Sequence, residues 1–139
     1  MITAVDTNVL LDVLTADVEF AEPSARALQR CLREGTVVAC DVVWGETAGA
    51  VAAPALFRDA MKTLGVEYAP LPREAAELAG QAWHRYRKAG GRRTRMVADF
   101  LIGAHAITAC DRLLSRDRGF YREYFRSLSV LDPTQKTRA

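Results

Sequence analysis

The amino-acid sequence predicts an α/β fold, namely a three-layer α/β/α sandwich around a central parallel five-stranded sheet. Two observations carry this prediction. Short segments rich in β-branched residues alternate along the chain with longer segments of helical periodicity, which is the order of βαβ units. Residues 36–40, TVVAC in one-letter code, are almost continuously apolar, as in parallel strands that helices cover on both faces.

The first elements are bounded by residues that start and stop regular structure. Residues 2–5 form a short β-rich segment that ends at Asp6, and the apolar residues at 9–11 and 13–14 predict the first turns of a helix. Pro23 near the start and Gly35 at the end delimit a second helix. The chain is therefore expected to open with one strand and two helices.

A second pair of helices is predicted between the second and third strands. Asp41 directly follows the second strand and is predicted to be the N-cap of a helix that runs to about residue 51. Pro54 starts the next helix and Gly65 ends it. Residues 66–71 then form the third predicted strand.

The C-terminal part of the chain supplies two longer helices and two strands. Residues 72–88 have amphipathic spacing and are followed by Gly90 and Gly91. Residues 98–110 are apolar almost all the way round a helix, which predicts a helix in the centre of the domain. The last two predicted strands are 112–115 and 127–131.

Length and composition exclude several classes of protein. The 139 residues are 50% hydrophobic and 26% charged, so residues 1–139 are predicted to form one globular domain rather than a disordered chain. No apolar segment approaches the roughly 20 residues that span a bilayer, and the N-terminus lacks the basic start of a signal peptide. The three cysteines match no metal-binding spacing and are predicted to be reduced core thiols. We therefore expect a cytoplasmic protein without a membrane partner.

Acidic residues recur where predicted strands end and helices begin. Asp6 follows the first strand directly, and Asp117 lies two residues beyond the fourth. Asp99 opens the apolar helix, and Glu46 lies one turn into the helix after the second strand. The carboxyl ends of parallel strands meet at one edge of a sheet, where ligands bind. These four carboxylates are therefore expected to converge.

Convergent carboxylates repel one another unless a cation lies between them. No histidine or cysteine is placed to make a softer site, so the pattern favours Mg²⁺ or Mn²⁺. Simpler explanations exist for single residues: Asp99 and Asp117 are also good helix caps, and Glu46 is also typical of a solvated helix face. Asp41 stays open as the alternative to Glu46.

Three blocks of sequence, in this order, carry a resemblance to a known family. They are DTNVLLD at residues 6–12, DFLIGAHA at 99–106 and LLSRDRGF at 113–120, followed by VLDP at 130–133. Together they resemble the PIN-domain ribonucleases, and specifically the toxins of VapBC-type toxin–antitoxin pairs. The resemblance covers essentially the whole chain and implies a PIN-like version of the predicted sandwich.

This resemblance implies a function and a set of site residues. It implies a Mg²⁺- or Mn²⁺-dependent endoribonuclease that cleaves RNA phosphodiester bonds with metal-activated water, with Thr7 as a supporting hydroxyl. It also implies a cognate antitoxin protein as partner, a homodimer and a larger toxin–antitoxin complex. The implied metal ligands and catalytic acids are Asp6, Glu46, Asp99 and Asp117.

A basic segment precedes the third acidic residue. Residues 84–95 contain six basic and no acidic side chains, a local excess that suits an anionic partner. The cations nearest Asp99 are predicted to bind RNA phosphates, whereas those at the end of the preceding helix are interpreted as a solvated helix terminus. The predicted RNA contacts in this segment are Arg92, Arg93 and Arg95. Arg116, which precedes Asp117, is predicted as a further RNA contact, with balancing of the acidic charges as the alternative.

Two other functions compete with this prediction. A phosphoryl-transfer domain of similar topology fits less well, because Asn8 stands where a phosphatase of that class would have a second aspartate. A non-catalytic metal- or RNA-binding module of the same fold is the second alternative. Metal-dependent cleavage of RNA by the purified chain would separate it from the nuclease.

Overall fold

A computed structural model of the protein describes residues 1–91 and 97–135. Its five strands are all parallel and lie in the order β3-β2-β1-β4-β5. They are β1 (Ile2–Val5), β2 (Thr36–Cys40), β3 (Val66–Ala69), β4 (Arg112–Leu114) and β5 (Val130–Leu131). The predicted parallel five-stranded sheet is confirmed, although the third and fifth strands are shorter than predicted.

Helices connect the strands. They are α1 (Thr7–Leu14), α2 (Ala21–Glu34), α3 (Asp41–Gly49), α4 (Pro54–Leu64), α5 (Arg73–Lys88), α6 (Val97–Ala109) and α7 (Arg118–Tyr124). The first six were predicted to within a few residues. The predicted start and end residues of α4 are confirmed. Pro54 lies in its first turn, and Gly65 is its C-cap at φ +77°, a conformation that glycine adopts without steric cost.

The centre of the sheet is buried on both faces. Residues 3–5, 37–40 and 112–114 of β1, β2 and β4 are all buried, which requires helices above and below these strands. The α/β/α layering is therefore confirmed. The apolar helix α6 contributes Phe100, Ile102, Ala104 and Ala106 to the core.

An aromatic cluster joins α5, α6 and α7. Phe100, with no exposed surface, has its ring 5.4 Å from Trp83 and Tyr86 and 5.1 Å from Phe120, measured between centroids. These separations and tilted or T-shaped orientations are typical of favourable aromatic packing. The cluster fixes α7 against the rest of the molecule.

The prediction of reduced core thiols agrees with the fold. Cys31 and Cys40 are buried free thiols and Cys110 is half-buried. His105 is 2% exposed, and burial lowers the pKa of its imidazole. Within the described ranges, no helix is both long enough and apolar enough to cross a bilayer.

One predicted cap is wrong. Asp41 is the first residue of α3 rather than its N-cap; Cys40 occupies the cap position, and no side chain caps this helix end. The strand β2 runs directly into the helix, so the change in backbone direction comes one residue earlier than the aspartate suggests.

Candidate active site

The strand order places a crevice between the carboxyl ends of β1 and β4. From β1 the chain proceeds first to β2 and β3 on one side and later returns to β4 and β5 on the other side. Such a switch point is where open parallel sheets bind ligands. Asp6 follows β1 here, and its backbone N–H donates to the carbonyl of Leu114 at 2.9 Å.

The Asp6 carboxylate is buried and hydrogen-bonded by neutral groups. Only 6% of the residue is exposed. Its Oδ2 accepts from Ser115 Oγ at 2.7 Å and from the Tyr121 hydroxyl at 3.0 Å, with Asn8 Nδ2 at 3.4 Å. Its Oδ1 accepts from the Thr7 backbone N–H at 2.7 Å. The carboxylate is therefore held from β1, α1, the loop after β4 and α7.

Burial raises the pKa of Asp6 from 3.8 to about 6. Desolvation is the largest cause, because water stabilises a carboxylate better than the interior does. The hydrogen bonds from Ser115, Tyr121 and Thr7 lower this pKa, and the nearby charge of Asp99 raises it. Asp99, in the first turn of α6, thus lies close enough to Asp6 to act on it electrostatically.

Ser115 links two of the acidic residues. Its hydroxyl donates to Asp6 Oδ2 and accepts from the backbone N–H of Asp117 at 2.9 Å. The side chain of Asp117 makes no capping hydrogen bond to α7, so helix capping does not account for this aspartate. The loop after β4 is further held by Asn8, whose Oδ1 accepts from the N–H of Arg116 at 3.2 Å.

Glu46 reaches the same edge through Thr7. The hydroxyl of Thr7 donates to Glu46 Oε1 at 2.7 Å, so α3 is tied to the residue that follows Asp6. Asp41, the alternative, acts electrostatically on the buried His105 and on Cys40. The structure thus places Glu46 in contact with the start of α1.

Tyr121 lies among three of the four acids. Its hydroxyl bonds to Asp6, and its pKa is raised well above the usual value by burial and then by the charges of Asp6, Asp99 and Asp117. The sequence patterns did not single out Tyr121. No motif identifies it, because its role depends on how α7 packs.

The four acidic residues lie at one edge of the sheet, but among the described residues their side chains do not form a closed metal-binding group. Among residues 1–91 and 97–135, no three Asp, Glu, His or Cys side chains form a group that could hold a metal ion. The donor chemistry nevertheless suits a hard divalent cation, since the site offers carboxylate and hydroxyl oxygens. Metal binding by the quartet stays a prediction.

Comparison with known proteins identifies the family. A family model described as PIN domain matches residues 3–125. This chain belongs to the PIN-domain family. No curated protein is significantly similar to it.

Solved structures share this PIN fold at low sequence identity. VapBC2 from Rickettsia felis, bound to a promoter DNA fragment, has a TM-score of 0.74 at 15% identity over 95% of this chain and 98% of that one. VapBC-1 from nontypeable Haemophilus influenzae has a TM-score of 0.74 at 18% identity over 97% and 100%. VapC20 from Mycobacterium tuberculosis, a toxin that cleaves the sarcin–ricin loop, has a TM-score of 0.54 at 18% identity over 80% and 86%.

The predicted RNA contacts of this PIN domain fall into two groups. Arg92, Arg93 and Arg95 lie outside the described residues. Arg116 is described, and its guanidinium is already engaged: it binds both oxygens of Asp12 at 2.7 and 2.9 Å and lies 3.9 Å from the ring centroid of Phe20. This geometry indicates that Arg116 holds the loop after β4 in place.

Proposed function

We propose that this PIN domain is a Mg²⁺- or Mn²⁺-dependent endoribonuclease that acts as the toxin of a type II toxin–antitoxin pair. The observation that carries the proposal is the Asp6 carboxylate, which is buried at the switch point of the sheet and electrostatically coupled to Asp99. A buried carboxylate with only neutral hydrogen-bond donors is energetically costly. A cation at this edge would offset that cost.

The residues that would hold the ion are acidic side chains from four elements. Asp6 follows β1, Glu46 is on α3, Asp99 is in the first turn of α6, and Asp117 precedes α7. A bound divalent ion would polarise a water molecule and neutralise charge on the scissile phosphate. At least one of these side chains must rotate towards the others for them to share an ion.

The chain's own residues position the acids. Thr7 donates to Glu46 and fixes the distance between α1 and α3. Ser115 orients the Asp6 carboxylate and holds the backbone at Asp117.

The proposed partner is a cognate antitoxin protein. The structures that share the fold include a toxin–antitoxin complex from Klebsiella pneumoniae, with a TM-score of 0.63 at 17% identity. We extend this to the chain as a proposal: it forms a homodimer and, with the antitoxin, a larger complex in which RNA cleavage is inhibited.

Cleavage of RNA by the purified chain tests the activity. We expect cleavage with Mg²⁺ or Mn²⁺, loss of cleavage with EDTA, and loss in Asp6→Asn and Asp99→Asn. The exposed Asp59 of α4 supplies a matched control, Asp59→Asn, purified in parallel and expected to cleave like the wild type. Cleavage that survives Asp99→Asn at the wild-type rate would contradict the assignment of this residue.

A paired substitution decides between the two acids of α3. Because Thr7 bonds to Glu46, we expect Glu46→Gln to lower the rate of RNA cleavage by roughly 10–100-fold. Asp41→Asn should leave that rate unchanged. The opposite result would make Asp41 the ligand.

A non-catalytic metal- or RNA-binding module is the second candidate. It predicts that the chain binds Mn²⁺ or RNA without cleaving any RNA at saturating metal, which the same assay measures.

A further inference from the structure

The hydroxyl of Tyr121 is buried against a carboxylate. Tyr121 is 1% exposed, and its hydroxyl donates to Asp6 Oδ2 at 3.0 Å. Its ring lies 5.0 Å from that of Phe120 and 6.4 Å from that of Phe125, measured between centroids. A ring packed in this way has little rotational freedom. The phenol is therefore a fixed donor rather than one that swings between partners.

The hydrogen bonds on Asp6 are distributed unequally between its two oxygens. Each carboxylate oxygen has about two lone-pair sites. Oδ2 receives the hydroxyls of Ser115 and Tyr121 and has Asn8 Nδ2 within 3.4 Å. Oδ1 receives only the Thr7 backbone N–H among the hydrogen bonds that the structure describes. Among these contacts, Oδ1 therefore retains an unused lone-pair site for a further ligand, whereas Oδ2 does not.

We propose that Tyr121 is a positioning residue of the metal site: together with Ser115 it saturates Asp6 Oδ2 and leaves Oδ1 as the oxygen that binds the cation. This inference rests on the proposed metal dependence and goes beyond the acidic quartet. Ser115 alone cannot define the same geometry, because its oxygen also accepts from Asp117 and follows the loop after β4. Tyr121 adds a second, independent anchor from α7.

Binding of Mn²⁺ to the metal-free protein tests the proposal without using cleavage as the readout. Electron paramagnetic resonance of free Mn²⁺ gives the dissociation constant. Tyr121→Phe keeps the ring and removes only the hydroxyl, and we expect it to weaken Mn²⁺ binding by roughly 10-fold or more, as for other groups that orient a metal ligand. Far-ultraviolet circular dichroism checks that the variant is folded.

The same helix offers a matched control. Tyr124 lies one turn further along α7, and its ring packs on Tyr86, Phe100 and Phe120 rather than on an acid. Tyr124→Phe also removes one phenol hydroxyl from this helix, and we expect it to leave the Mn²⁺ affinity unchanged. A tyrosine absorption difference on addition of Mg²⁺ should persist in Tyr124→Phe and disappear in Tyr121→Phe.

The outcomes separate this inference from the proposed function. If the wild type and Tyr121→Phe bind Mn²⁺ equally tightly, the positioning role is wrong and the metal-dependent nuclease stands. Equal weakening in Tyr121→Phe and Tyr124→Phe also overturns the positioning role, since it would reflect disturbance of α7. If the folded wild type binds no Mn²⁺, the metal dependence and this inference both fail.

Discussion

At the scale of single residues, the Asp6 carboxyl group is the feature with the clearest energetic consequence. Its donors are the backbone of Thr7, the hydroxyls of Ser115 and Tyr121, and the amide of Asn8, all of which are neutral. Neutral donors stabilise a buried anion less than a cation does. Burial therefore raises the pKa to about 6, because these donors offset only part of the desolvation.

The stability of the protein should therefore depend on the ionisation of Asp6. Its pKa is about 6 in the folded state against 3.8 for an aspartate in water, so the folded state binds the proton more tightly. In EDTA, the contribution of Asp6 to the free energy of unfolding is fully present below pH about 4 and falls by roughly 3 kcal/mol as the pH rises through 6. Urea unfolding at several pH values measures it.

Asp6→Asn isolates this contribution. The difference in unfolding free energy between Asp6→Asn and the wild type should shift in favour of the variant as the pH rises from about 4 to about 7. Asp59→Asn, at an exposed site on α4, should show no such shift. A constant difference between Asp6→Asn and the wild type would mean that the carboxyl titrates alike in both states.

At the scale of the elements, an ion pair ties the loop after β4 to α1 and α2. Asp12 is 4% exposed, accepts from Ser24 Oγ at 2.7 Å and binds Arg116 through both oxygens. Arg116→Ala leaves this carboxylate buried without its cation, and we expect a loss of about 3 kcal/mol in unfolding free energy. Thermal or urea denaturation measures the loss.

The neighbouring arginine provides the comparison for that prediction. Arg118→Ala removes a cation from the same region that does not bind Asp12, and it should cost much less. In the double variant Asp12→Ala/Arg116→Ala, the total loss should be smaller than the sum of the single losses, because neither partner is left unpaired. Additive losses would show that the pair contributes no coupling.

The packing of α6 against Phe125, the C-cap residue of α7, depends on the absence of a side chain at Gly103. A Cβ atom at Gly103 would lie 2.5 Å from Cε2 of Phe125, which is itself 4% exposed. We expect Gly103→Ala to lower the unfolding free energy by about 1–3 kcal/mol despite the better helix propensity of alanine. Differential scanning calorimetry measures this change.

Gly80 is the matched position for this test. It lies exposed in α5, and a Cβ atom added there would meet no other atom within 4 Å. Gly80→Ala should therefore stabilise the protein by up to about 1 kcal/mol. If both substitutions stabilise it, α7 must yield easily to the added methyl group.

The sequence predicted helices and strands where start and stop residues agree with the hydrophobic pattern. Pro54 and Gly65 gave the bounds of α4, and the continuous apolar segment gave β2 over residues 36–40. Helix α7 was not predicted, because seven residues rich in aromatic and charged side chains carry too little periodicity. Its stability comes from packing in the aromatic cluster, which no local pattern shows.

The candidate site was predictable only in part, because its side-chain contacts also depend on packing that local sequence patterns do not show. The motif positions predict that Asp6 and Asp117 lie at the same sheet edge, because the carboxyl ends of parallel strands share one edge. Side-chain distances within that edge depend on rotamers and on helix packing. The hydrogen bond from Tyr121 to Asp6 and the ion pair between Arg116 and Asp12 depend on such packing, so the sequence did not predict them.

At the scale of the whole molecule, ion binding should stabilise the fold, since the proposed ligands come from opposite sides of the switch point. A ligand at 100 times its dissociation constant adds about 2.7 kcal/mol when only the folded state binds it. We expect saturating Mn²⁺ to raise the melting temperature of the wild type at neutral pH. Asp6→Asn should show no increase, and an equal increase would place the ion elsewhere.

The hydroxyl of Ser115 has one further consequence. It accepts a hydrogen bond from the amide of Asp117 and donates its own hydrogen to Asp6, so a single oxygen atom joins the base of α7 to the end of the first strand. The backbone N–H of Asp117 can only donate, so the Ser115 oxygen accepts from it and the Ser115 hydrogen is directed to Asp6. A protein that displaces α7 when it binds would therefore also disturb the Asp6 carboxylate in the crevice.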